Sequence, residues 1–167
     1  MVIFIKSRGK LFENWFKSSV PEGILYERFK DGTSSWNMSD ANVRFQAQNV
    51  CDCFLFDGSI LLYLELKSHK GKSLPLNCIR ENQQKELPKR QMHENVLSGL
   101  LVEFSDLERV FYLNIDDFIK FKETSDRKSI PLEYFIDYGI EVSVRKLRTS
   151  CRYDVTKMYD DIVNREF

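Results

Sequence analysis

Long apolar runs are missing from this 167-residue chain: no stretch approaches the ~18 consecutive apolar residues that a membrane span requires, which excludes a membrane partner. The opening "MVIFIKSRGK" becomes charged too soon for a secretory leader, so a cytoplasmic protein is expected. Charge of one sign is missing as well. Lys and Arg number 25 against 25 Asp and Glu, which excludes a uniformly basic DNA-coating protein but leaves a local basic face open. Cysteine is sparse: Cys51, Cys53, Cys78 and Cys151 have neither C-x-x-C spacing nor the density of a secreted disulfide framework, and reduced thiols are expected. Cys51 and Cys53 lie two apart, so an extended chain there would put both on one side and Asp52 on the other. His69 and His93 have no partner at metal-ligand spacing. Repeats, low-complexity tracts and linkers are absent, and 43% hydrophobic with 13% aromatic content is enough for one core, giving a single domain over residues 1–167.

The patterns that are present alternate between helix and strand. Leu11, Phe12, Trp15 and Phe16 recur at helical spacing, and Pro21 with Gly23 ends a helix of about residues 8–19. "ILYERF" reads as a strand, and "KDGTSSWNMSDAN" as a loop or protrusion. "VRFQAQNV" and "CDCFLF" read as extended, "DGS" as a hairpin turn, and "ILLYLELK" as the antiparallel partner. A helix opens at "NCIRENQQKEL", is broken or kinked at Pro88, and a further helical stretch leads to Gly99. "LLVEF" and "VFYLNI" are strands, Asp116 and Asp117 can cap the helix of "DDFIKFKE", and "SIPLEYFIDYG" reads as a helix started by Pro and ended by Gly. "IEVSVRK" is a late strand and "DVTKMYDDIVNREF" a terminal amphipathic helix. This order predicts the α/β class, a mixed sheet flanked by helices.

Charged residues interrupt the core strands in one place. In "ILLYLELK", Glu65 and Lys67 lie two apart and share a strand face, and a turn at Asp57-Gly58 would put Asp52 on the strand opposite Glu65. Two carboxylates and an ammonium then converge. Mg²⁺ takes one or two carboxylates and leaves positions for water and phosphate, so Asp52 and Glu65 suit the metal and Lys67 the charge that develops in phosphodiester hydrolysis. The same spacing also suits a Glu65–Lys67 ion pair on an edge strand with Asp52 merely solvated.

Four ordered segments separate these readings. "SRGKLFE", "CDCFLFDGSILLYLELK", "LPLNCIRENQ" and "RKSIP" resemble, in turn, the R-G-x-x-x-E opening, the D…E-x-K core, the P-L…H-Q element and a late core segment of the RecU family of Holliday junction resolvases, within the PD-(D/E)xK nuclease superfamily. The resemblance covers most of the chain and implies a restriction-endonuclease-like fold. It implies Asp52 and Glu65 as metal ligands, Lys67 as the catalytic lysine, Glu13 as an acid reaching the site from helix one, and Gln83 as the glutamine of the downstream element. It also implies Mg²⁺, for which Mn²⁺ can substitute, a homodimer, and four-way DNA junctions as the substrate. Asn82 stands where the family commonly has His. The family's basic, proline-rich stalk corresponds to residues 30–48, which are shorter and carry few bases, in keeping with a compact phage-type member. Alternatives are another endonuclease of the same superfamily, or a silent DNA-binding protein of the same fold.

Bases cluster around these motifs. Lys70, Lys72, Arg80, Lys85 and Arg90 follow the acid-x-Lys strand and, with Arg8, are the expected phosphate contacts. Residues 103–126 are predominantly acidic, so zero net charge hides two poles. Arg145, Lys146, Arg148 and Arg152 form a second basic group. In the segment at 30–48, Trp36 is expected to stack on unpaired bases, with Lys30 and Arg44 on the backbone. Helix one, through Phe12, Trp15 and Phe16, is the expected dimer contact.

Overall fold

A computed structural model of the chain describes residues 7–29 and 49–167. The chain forms α1 (Arg8–Ser19), β1 (Leu25–Arg28), β2 (Cys53–Phe56), β3 (Leu61–His69), β4 (Ser73–Pro75), α2 (Glu81–Gln91), β5 (Val96–Phe104) and β6 (Arg109–Asn114). Then follow α3 (Ile115–Thr124), β7 (Ser129–Pro131), α4 (Leu132–Tyr138), β8 (Ile140–Val142), β9 (Val144–Lys146), β10 (Cys151–Tyr153) and α5 (Val155–Glu166). The expected α/β class and mixed sheet are both present. Six strands run in the order β1-β2-β3-β5-β6-β8, and only β3 and β5 pair in parallel, because the crossover between them carries α2.

Alternation along the central strands divides the core in two. Leu62 and Leu64 of β3, Leu101 of β5 and Tyr112 of β6 meet Phe12 and Phe16 of α1 and Met158 and Ile162 of α5 on one face. Leu100, Val102 and Phe111 meet Leu87 of α2, Phe118 of α3 and Phe135 of α4 on the other. Phe12 and Phe16 are fully buried against Tyr153, so helix one offers no exposed aromatic face and the expected dimer contact there is corrected. Its apolar stripe is already spent on this chain's own core. Trp15 lies at the edge of that core, beneath the Arg8 guanidinium.

Five features depart from the sequence patterns. The helix α2 runs through Pro88 to Gln91, held at its last turn by Gln91, which donates to Asn114 and Asp116 and accepts from the Ser98 amide. No helical stretch follows: Val96–Phe104 is a strand, because a nearly continuous apolar run suits a central strand covered on both faces. Gly99 lies inside it, where an added Cβ would stand 2.2 Å from the Tyr112 ring. Asn114, not Asp116 or Asp117, caps α3 by accepting from the Asp116 amide. "SIP" of the expected fourth helix pairs with β4 instead, and "IEVSVRK" divides at Ser143 between the central sheet and a separate β9–β10 hairpin. Among the described residues no helix is long and apolar enough to cross a membrane. The expected protrusion at 30–48 and the extended "VRFQAQ" lie outside the described residues.

Candidate active site

The β2–β3 hairpin turns at Gly58, whose φ of +100° a side chain would disfavour, while the Asp57 carboxylate accepts from the Ser59 and Ile60 amides. The turn sets the register. Cys53 stands opposite Leu64, so the next position places Asp52 opposite Glu65. There the strand gives way to a bend, and the Asp52 side chain takes over from the ladder: Oδ2 accepts from the Leu66 amide at 2.9 Å, while the Asp52 amide donates to the Leu64 carbonyl at 3.2 Å. The bend also overturns one expectation. Cys51 packs with the α2 side of the core and Cys53 with the α1 side, so the two thiols do not share a face.

Glu65 is fully buried, on the α2 face of the sheet with Tyr63 and Lys67. Lys67 Nζ lies 2.6 Å from Glu65 Oε1 but off the direction of a hydrogen bond, and neither Glu65 oxygen accepts one from the described residues. A buried carboxylate left in this state is costly. Its charge is felt next door: burial first, and then Glu65, raises the Asp52 carboxyl to about 6 against the opposing pull of the Leu66 amide and Lys67. Burial, followed by the Glu65 and Asp52 charges, likewise pushes the Cys51 thiol up. Two facing carboxylates short of donors fit a hard divalent cation, and Mg²⁺ needs no more from a protein than such a pair. Among the described residues no group of three or more His, Cys, Asp or Glu is placed to hold a metal.

Two further residues of the sequence motifs lie on the helices. Glu13 of α1 adds to the field at Asp52, although its carboxylate is held by Lys10 at 2.9 Å and Arg28 at 3.2 Å. Gln83 is fully buried; its Oε1 accepts from the Arg80 amide at 3.1 Å and its Nε2 has no partner. Asn82, whose role the sequence left open, donates from Nδ2 to the Asn49 carbonyl at 3.2 Å and so ties the start of α2 to the chain just before Asp52. Nothing in the sequence signals this contact between residues 33 apart.

The expected phosphate contacts separate. Lys70 and Lys72 are exposed in the turn directly after β3, Arg80 is exposed at the start of α2, and Lys85 is exposed on it. Arg90 is half-buried, with Nε enclosed and unpartnered. Arg8 is not brought to the site. Its Nε donates to Glu103 Oε2 at 3.0 Å, Ser68 Oγ donates to the same oxygen at 2.6 Å, and both partners project from the opposite face of the sheet to Glu65. The second basic group lies on that opposite face too, with Lys146 paired to Glu108 and Arg152 bonded to the Ser18 carbonyl. Lys30, Trp36 and Arg44 lie outside the described residues.

A family model described as Recombination protein U matches residues 33–155. The SPbeta prophage-derived uncharacterized protein YotM of Bacillus subtilis is 28% identical over 176 aligned positions, covering 96% of this chain and 89% of that protein. Among solved structures, Archaeoglobus fulgidus Hjc, a Holliday junction resolvase from an archaeal hyperthermophile, superposes with a TM-score of 0.48 at 12% identity, over 71% of this chain and 83% of that one.

Proposed function

Because the chain belongs to the Recombination protein U family, we propose that it is a Mg²⁺-dependent endonuclease that resolves four-way DNA junctions. The observation that carries the reading is the meeting of Asp52, Glu65 and Lys67 across one hairpin, with the buried Glu65 oxygens lacking hydrogen bonds.

Asp52 and Glu65 would hold the Mg²⁺, or Mn²⁺ in its place, with Asp52 fixed by the Leu66 amide so that its other oxygen is left for the ion. The ion, when bound, supplies positive charge against the phosphoryl oxygens and acidifies water for attack. Lys67, one strand position past Leu66 and partly open to solvent, would set its ammonium charge against the charge that develops on the phosphate. Gln83 offers its unpartnered Nε2 as a donor near the start of α2, and Glu13 adjusts the field at Asp52. Neutral net charge does not oppose DNA binding, since the exposed Lys70, Lys72, Arg80 and Lys85 follow the acid-x-Lys strand directly.

Resolution of a junction calls for two opposed nicks, and a twofold homodimer with two such sites is the economical way to make them. The test is a labelled synthetic four-way junction beside a matched linear duplex, each with Mg²⁺ or EDTA. Paired symmetric nicks in the junction, with Mg²⁺ alone, are expected. Equal cutting of the duplex would instead indicate a general endonuclease, and binding without cutting a silent one. Sedimentation at micromolar concentration should give a dimer; a monomer that makes both nicks in one binding event would contradict the assembly.

A further inference from the structure

Charge pairing divides the cations of the described residues. Over much of the surface a base sits against an acid of the same chain, as in Lys89–Glu86, Arg109–Glu141, Lys157–Asp161 and Arg165–Asp117. Lys70, Lys72, Arg80, Arg127 and Lys128 are exposed, and among the described residues none of them forms an ion pair. Of the acids adjoining them in the chain, Glu81 after Arg80 lies 4.0 Å from Lys85 and Asp126 precedes Arg127, while Asp106 is occupied with the Gly71 amide at 3.0 Å.

Tertiary pairing gathers these cations. The antiparallel β4–β7 ribbon matches Ser73 with Pro131 and Pro75 with Ser129, and is extended at both ends by main-chain bonds from Leu132 to the Lys72 carbonyl at 2.9 Å and from Leu76 to the Lys128 carbonyl at 3.0 Å. Lys70 and Lys72 therefore stand at one end and Lys128 and Arg127 at the other. At the usual strand rise the two ends are about 13 Å apart, roughly four nucleotide steps of a DNA strand. The ribbon also lies on the catalytic face. Leu74 and Ile130 pack in the same apolar cluster as Cys51, the neighbour of Asp52, and Lys67 leads into the ribbon through Ser68, His69 and the turn at residues 70–72.

We propose that the β4–β7 ribbon is a phosphate-binding ridge, in which Arg127 and Lys128 join Lys70 and Lys72 in holding a continuous nucleic-acid backbone of several nucleotides beside the Asp52–Glu65–Lys67 site. The inference rests on the nuclease reading for the identity of its ligand. Arg127 and Lys128 lie some sixty residues beyond the acid-x-Lys strand, and although "RKSIP" resembles a late segment of the family's core, no local spacing places these two bases beside the site.

The test is equilibrium binding of a fluorescent linear duplex and a four-way junction in Ca²⁺, across a series of salt concentrations. The pair Arg127→Gln with Lys128→Gln is compared with the intact protein and with Lys157→Gln plus Arg165→Gln, which removes the same charge from α5. Both ridge side chains are exposed, Lys128 meets the ribbon through its carbonyl and the Arg127 amide donates to Ser125 Oγ, so thermal midpoints should match. Two lost phosphate contacts should make the plot of log affinity against log salt shallower by about 2. Duplex and junction should weaken alike, while Mg²⁺ affinity without DNA stays unchanged and the α5 pair behaves as the intact protein. An unaltered slope, or an equal loss in the α5 pair, would overturn the ridge. Intact protein that binds DNA with the full slope but never cuts it would sink the nuclease reading and leave the ridge standing.

Discussion

Two buried glutamates on neighbouring parallel strands have opposite fates. Glu65 of β3 and Glu103 of β5 are 0% and 2% exposed, yet Glu103 receives two nitrogens of Arg8 and the Ser68 hydroxyl, while Glu65 has only a poorly directed ammonium and faces a second carboxylate. Burial of a charge is tolerated when donors surround it, as at Glu103. Where they are withheld, as at Glu65, the electrostatic cost is one that the proposed cation would relieve. The difference between the two faces of one sheet is therefore the difference between a structural ion pair and the metal site we propose.

The largest expected break in this comparison is chemical. Asp52→Asn or Glu65→Gln should abolish cleavage while DNA binding in Ca²⁺ survives, because each change removes ligand charge at nearly constant volume; cleavage near the normal rate by either would end the assignment. Lys67→Ala should lower kcat by about 10²–10³, the scale of losing one donor to developing charge. It should leave Mg²⁺ binding intact, and isothermal titration reads that directly.

Next comes stability, where the two glutamates should trade places. Glu103→Gln strands the Arg8 guanidinium and should cost about 1–3 kcal/mol in urea unfolding. Glu65→Gln in EDTA should cost nothing or stabilise, since it relieves the repulsion that raises Asp52. If both lose stability alike, Glu65 is not uncompensated and the contrast fails.

The smallest effect is a pH slope. The folded Asp52 carboxyl sits at about 6 against 3.8 in the unfolded chain, so between these values the folded state binds more protons. Metal-free stability should therefore fall as pH rises through that window and level off above it. Glu65→Gln should flatten the slope, and Mg²⁺ affinity should rise with pH up to about 6 and then hold. A slope of the opposite sign in EDTA would show that Asp52 is not raised.

Much of this was legible along the chain. The period-3.6 stripe of Phe12 and Phe16 and the turn at Asp57-Gly58 marked α1 and the hairpin, and the two-residue spacing of Glu65 and Lys67 placed both on one strand face. Patterns that two structures satisfy equally were not legible. Pro88 reads as a break, yet the helix continues because Gln91 has partners on β5, β6 and α3, and "VLSGLLVEF" reads as helix or strand until its two covered faces are known.

By itself, then, the sequence determined the class of the fold, the hairpin, and which residue types stand together at Asp52, Glu65 and Lys67, because periodicity and turn chemistry act over a few residues. Only the tertiary structure decided which carboxylate would be satisfied, since Arg8 reaches Glu103 across 95 positions and no helix or strand period spans that distance. Only it turned Phe12 and Phe16 inward, tied Asn82 to the approach to Asp52, and set Arg127 and Lys128 at the far end of one ribbon from Lys72. Each of these depends on two distant segments packing against the same sheet, and such a pairing is specified by the sum of the core contacts and by no local stretch of residues.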